Sequence, residues 1–78
     1  MNGLVMSDVR RAALRALTAG PATNAQVAHH TGLSRAVAWR ALRYLTRHDL
    51  VTSDWRDDPT RRTYTLTPAG AETAKETT

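Results

Sequence analysis

Apolar positions along the chain recur first with a helical period and then with a strand period. Val9, Ala13, Ala16 and Leu17 fall at i, i+4, i+7 and i+8, with Leu14 beside them, while Arg10, Arg11 and Arg15 stand off that stripe. The spacing predicts an amphipathic helix. Ser7 serves as its N-cap, and Asp8 lies in the first turn, where the helix dipole favours an anion. Gly20-Pro21 stops it, because glycine accepts a left-handed conformation and proline cannot continue the ladder. A second helix opens at Thr23, which forms a capping box with Gln26 three residues on. Val27 and Ala28 supply its buried face, and it closes at Thr31-Gly32.

After Gly32-Leu33, Ser34 caps a third helix, predicted over residues 34–48. On a wheel of roughly 100° per residue, Val37, Ala38, Ala41, Leu42 and Leu45 fall on one side. Arg35, Ala36, Trp39, Arg40, Arg43, Thr46 and Arg47 occupy the other, with Trp39 inside the basic arc. Asp49-Leu50 ends this helix, and Val51 to Trp55 reads as a strand rich in β-branched and aromatic residues. Turn-formers follow, and then RTYTLT, which alternates with Tyr64 and Leu66 on one face and Thr63, Thr65 and Thr67 on the other. Thr67 can cap a last helix with Pro68 at its first position, where a missing N–H does no harm. That helix runs to about Glu76 and is weakly apolar through Ala69, Ala71 and Ala74.

Two short helices joined by a glycine-containing turn, the second starting at a serine cap, form a helix-turn-helix pattern, for which a plain helical hairpin is the alternative. A hairpin of strands directly afterwards favours the former. The expected fold is α+β, mainly α: a winged helix-turn-helix of three helices, a two-stranded β-hairpin wing at 56–62 and a short C-terminal helix. Residues 1–78 are expected to form one domain, without internal repeat or linker.

A chain of 78 residues supports a thin core, and a large enzyme cleft is not expected in it. Ten Arg and one Lys against seven acids give a net charge of +4. Four of those Arg lie between Arg35 and Arg47 with no acid among them. Such a face points to a polyanion, with nucleic acid ahead of a membrane surface. Absence of cysteine leaves neither disulfides nor thiolate metal sites. MNGLVM is too short for a signal-peptide core, and no run approaches about 18 apolar residues. A cytoplasmic, nucleoid-associated protein is therefore expected. His29 and His30 are adjacent, so they point apart on a helix, and no metal or other cofactor is expected. With no glycine-rich phosphate loop, triad or inward pair of carboxylates, the chain does not read as an enzyme.

TGLS, ALRYLTRHDLV, DDPTRR and TYTLTPAG, in this order and spacing, resemble the winged-helix transcriptional regulators of the PadR and MarR type over residues 9–70. Trp39 falls where PadR-like recognition helices often carry tyrosine. Three departures stand out. Asp49 takes the place of a usual glycine before Leu-Val, which puts the capping of that corner in question. Thr60 replaces an acidic residue that often braces the wing. Neither the long dimerisation helices nor a small-molecule pocket between them is expected, and so no small-molecule effector is expected.

The resemblance and the charge pattern together imply a sequence-specific double-stranded DNA-binding transcriptional regulator, expected to be a repressor. The third helix is expected in the major groove, and the wing on the backbone or in the minor groove. Arg35, Ala36, Trp39 and Arg40 occupy the half of the helix that reads base edges, and Arg35 and Arg40 are expected on bases or phosphates. Arg43 and Arg47 are expected on phosphates. Trp39 is placed against a sugar-phosphate edge or a thymine methyl, with packing on the wing, on Arg stems or on another subunit as the alternative. Free N–H groups at helix starts near Thr23, Asn24 and Ser34 favour phosphate oxygens, beside their capping role. Arg61 and Arg62 on the wing serve a minor groove and a phosphate. A homodimer would draw its contacts from residues 1–8, the first helix or the last. The rival readings are a winged-helix protein–protein interaction module and a plasmid or phage architectural accessory protein.

Overall fold

The structure is a computed structural model, and it describes residues 7–54 and 62–76. Four α-helices, a 3₁₀ turn and three short strands follow in the order α1 (Asp8–Ala16), the turn (Leu17–Ala19), β1 (Ala22–Thr23), α2 (Asn24–Thr31), α3 (Arg35–Arg47), β2 (Val51–Asp54), β3 (Thr63–Leu66) and α4 (Pro68–Glu76).

Each helix starts where a side-chain oxygen is available for its unpaired N–H groups. Ser7 Oγ accepts from Arg10 N at 3.3 Å, and Ser34 Oγ accepts from Val37 N at 3.1 Å. The capping box at α2 is complete: Gln26 N donates to Thr23 Oγ1 at 3.2 Å, and Thr23 N donates to Gln26 Oε1 at 2.8 Å. At the other end of α2, Gly32 adopts φ 77°, and its N–H reaches the Ala28 carbonyl at 2.9 Å. That left-handed step re-aims the chain into α3 within three residues, which is the turn of the helix-turn-helix.

The corner after α3 explains the departure at Asp49. Asp49 has φ 59°, the one non-glycine residue with positive φ among those described. Asp49 N donates to the Thr46 carbonyl at 3.1 Å, and Leu50 N donates to the Leu45 carbonyl at 3.0 Å. These are the two bonds of a Schellman motif, with Leu50 and Leu45 both buried beneath it. The corner thus keeps a glycine-like geometry with aspartate in it, a residue that visits the left-handed region more readily than most.

TPAG locks onto this corner. Thr67 Oγ1 donates to the Asp49 carbonyl at 2.7 Å and accepts from Gly70 N at 2.9 Å, so one hydroxyl caps α4 and ties it to the end of α3. Thr67 N donates to the Leu50 carbonyl at 3.1 Å. Gly70 faces Leu50 so closely that a Cβ there would overlap its carbonyl oxygen.

The sheet differs from the two-stranded expectation. Its order is β1-β3-β2, antiparallel throughout, with Ala22 opposite Tyr64, Thr23 opposite Thr63 and Val51 opposite Leu66. The extra strand is two residues long, too short for any alternation to reveal. It exists because an N-cap residue is itself extended (Thr23 φ −81°, ψ 166°), and this brings Ala22–Thr23 alongside β3. Trp55 and the wing residues up to Arg61 lie outside the described residues.

Leu14, Val27, Leu42, Leu45 and Val51 are the largest fully buried side chains, and Ala13, Leu17, Ala28, Ala38, Ala41, Leu50, Tyr64 and Ala74 complete the core around them. α3 packs across α1 and α2, while α4 closes the far side against α1 and β3. The predicted apolar face of α3 is buried as expected, except that Val37 is half-exposed. Small residues at Ala38 and Ala41 let the helices approach closely. No helix is long and apolar enough to cross a membrane among the described residues.

Candidate nucleic-acid interface

With one side of α3 committed to the core, periodicity forces the other side outward. Arg35, Ala36, Trp39, Arg40, Arg43 and Arg47 are all exposed. Trp39 is 44% exposed and is the one large hydrophobic side chain so placed among the described residues. Arg11 pairs with Asp8 at 3.2 Å on α1, away from this face. Arg35, Arg40, Arg43 and Arg47 present their charge with no described carboxylate paired to it. A row of guanidinium groups unpaired with any described carboxylate attracts an anion from solution, and the planar fork of each suits an oxyanion.

Trp39 is not simply in the middle of that row. Trp39, Arg43, Thr46 and Arg47, at i, i+4, i+7 and i+8, turn towards the sheet and line a groove of about 270 Å³ with Ser53, Arg62 and Tyr64. The Arg43 guanidinium lies 5.2 Å from the Trp39 ring centre, within cation–π range. Arg62, exposed at the start of β3, joins Arg43 and Arg47 across the groove, so the helix and the base of the wing form one basic cleft. Ser53 and Tyr64 face each other in the β2–β3 register. Their place in the cleft was not legible beforehand, because it depends on how the sheet sits against α3.

Helix starts contribute differently from one another. Thr23 and Ser34 use their hydroxyls as caps, and Ser34 is exposed beside Arg35. Asn24 is half-buried, and its Nδ2 donates to the Arg35 carbonyl at 3.2 Å. It acts as a clamp between the helices, a role that sequence reasoning missed. Arg61 lies outside the described residues.

A second cationic contact braces the back of α3. The Arg10 guanidinium lies 3.5 Å from the Tyr44 ring centre, and Tyr44 is 4.3 Å from His48, centre to centre. This Arg–Tyr–His stack joins α1 to the C-terminal half of α3. His29 and His30 are both exposed on α2.

Fold and cleft together define a winged-helix domain of the MarR type. The chain belongs to the HVO_A0261 N-terminal domain family, which it matches over residues 1–78. ZitR of Lactococcus lactis, a zinc-responsive MarR family member, superposes with a TM-score of 0.84 at 26% identity, covering 96% of this chain and 53% of that one. The adhesin competence repressor AdcR of Streptococcus pyogenes gives 0.85 at 21% identity, over 91% of this chain and 54% of its own. BpsR of Bordetella bronchiseptica, whose DNA binding is regulated by 6-hydroxynicotinic acid, gives 0.85 at 22% identity, over 91% and 55%. The chain spans about half the length of these solved relatives. No curated protein is similar enough in sequence to match it. The expectation of no small-molecule effector finds no support here, since ZitR responds to zinc and BpsR to an organic acid.

Proposed function

We propose that residues 1–78 form the DNA-binding domain of a transcriptional regulator that recognises double-stranded DNA by sequence. One observation carries the reading: α3 exposes Arg35, Arg40, Arg43 and Arg47, none paired with a described carboxylate, around an exposed Trp39. In the proposed complex α3 enters the major groove, which admits one helix and displays a distinct edge for each base pair. Arg35 and Arg40, with Ala36 and Trp39 between them, face base edges. Arg43, Arg47 and Arg62 hold the phosphodiester strand that runs through the cleft between α3 and the sheet. Ser34 and the N-terminal turns near Thr23 and Asn24 meet phosphate with their backbone N–H groups. Arg61, with the rest of the wing, follows the backbone or the minor groove. Two copies on half-sites one helical turn apart would act as a repressor by excluding other proteins from a promoter. Likeness to ZitR, AdcR and BpsR supports a regulator of this kind, located where DNA is, and it gives no support to an enzyme.

Selection from a random duplex pool, followed by affinity measured against salt, tests this reading. Binding should weaken steeply as salt rises, because each neutralised phosphate releases condensed counterions. Replacing Arg40 and Arg43 together with Ala should abolish binding, and unchanged affinity would remove these residues from the interface. A second reading, a protein-interaction module, is favoured by the exposure of Trp39, a residue type common at interface hot spots. It would show as partner binding that tolerates salt and ignores duplex DNA.

A further inference from the structure

We infer that Ala36 and Trp39 together read the C5-methyl group of a thymine, making them specificity-determining residues; this deepens, and rests on, the duplex-binding reading. Both side chains are exposed in the N-terminal half of α3, one helical turn apart at i and i+3. Residues at that spacing are neighbours on a helix surface, so they form a continuous apolar patch. Arg35, Arg40 and Arg43 border the patch, and no described acid pairs with them. A rim of arginines with no described acid among them favours a strongly anionic partner over an ordinary protein surface, which carries both signs of charge. It suits an apolar feature embedded in a polyanion.

Duplex DNA offers few such features. In the major groove the thymine methyl is the one apolar group on the base edges, and alanine and aromatic side chains are its usual partners. Deoxyribose is the other apolar surface, but Ala36 has too short a side chain to reach out to it from a helix seated in the groove. Arg43, 5.2 Å from the indole centre, restrains Trp39 from one side and so reduces the ordering needed on binding. Arg43 is a positioning residue in this respect, beside its own phosphate contact.

The experiment takes the best duplex selected by the 78-residue chain from a random pool and replaces each thymine in turn by deoxyuridine, which lacks only the methyl. At one or two positions the replacement should weaken binding about fourfold, the loss expected for one buried methyl-sized group. In Trp39→Ala the same replacement should change affinity less than about twofold, and Trp39→Phe should retain part of the effect. Circular dichroism should match wild type for both variants, showing that a lost methyl effect is not a lost fold. Absence of a methyl-sensitive thymine, or full sensitivity persisting in Trp39→Ala, would overturn the inference. If binding is still salt-dependent and lost on replacing Arg40 and Arg43, that failure leaves the duplex-binding reading standing. Failure to bind any duplex at low salt overturns both.

Discussion

Asn24 Nδ2 donates to the Arg35 carbonyl at 3.2 Å, joining the first residue of α2 to the first residue of α3. The bond sets the angle at which α3 leaves the turn, because Ser34 and the capped first turn are fixed around it. Asn24→Ala removes the donor but leaves the Arg35 carbonyl its own helical bond, so a loss of about 0.5–1.5 kcal/mol is expected. Asn24→Asp sets a carboxylate against that carbonyl with no proton to share, and about 1–3 kcal/mol should be lost. Denaturant melts should rank wild type above Ala and Ala above Asp. An aspartate variant as stable as wild type would show that the clamp is dispensable.

The arginines of α3 should separate by what they touch. Arg47, near the helix end and lining the cleft, is assigned to phosphate. Arg47→Ala should weaken all duplexes alike and reduce the slope of log K against log salt by about 0.9. Arg40, in the first half of the helix, is assigned to a base edge. Arg40→Ala should cost about 1–3 kcal/mol on the selected site and relax the preference at one position, usually a guanine. Binding isotherms at three or four salt concentrations, on the selected and a scrambled duplex, check both. Equal losses on both duplexes for Arg40→Ala would move it to the backbone.

Much of this was legible in the chain itself, and the parts that were not share a cause. The caps at Ser7, Thr23 and Ser34 and the outward face of α3 depend on local geometry and one period, so residues alone reveal them. β1 escaped because two residues cannot display a period, and its pairing with β3 is a tertiary event. Trp39 was correctly set on the exposed side, but its tilt towards the sheet depends on where β3 carries Tyr64 and Arg62. Asn24 looked like a free helix-start residue because its partner lies eleven positions away.

Asp49 offers a test of stored backbone strain. Its φ of 59° is tolerable for aspartate and easy for glycine. Asp49→Gly should leave stability unchanged or raise it by up to about 1 kcal/mol, the relief of strain being partly offset by a more flexible unfolded chain. Asp49→Val, β-branched in the left-handed region, should lower stability by about 1–2 kcal/mol. Paired thermal melts decide the matter. A valine variant as stable as wild type would mean that the Schellman corner is not held in this geometry in solution.

Gly70 sets two effects of opposite sign against each other. In an unobstructed helix, Gly→Ala stabilises by about 1 kcal/mol, because alanine loses less backbone entropy. Here the added Cβ would overlap the Leu50 carbonyl oxygen and press on the Leu50 Cα, 3.3 Å away. Both are backbone atoms of the corner that Thr67 bonds on either side, so neither can rotate clear. Relief requires α4 to move off the corner, breaking the bond from Thr67 N to Leu50 and the hydroxyl bridge to Asp49. Overpacking of this kind costs about 1–3 kcal/mol and should outweigh the helix-propensity gain. Gly70→Ala is therefore expected to melt several degrees below wild type, at roughly 4–8 °C per kcal/mol for a domain of this size. Ala71→Gly, at the exposed neighbouring position, reports the propensity effect alone and should cost up to about 1 kcal/mol. A Gly70→Ala variant that melts higher than wild type would mean that α4 does not lie against Leu50.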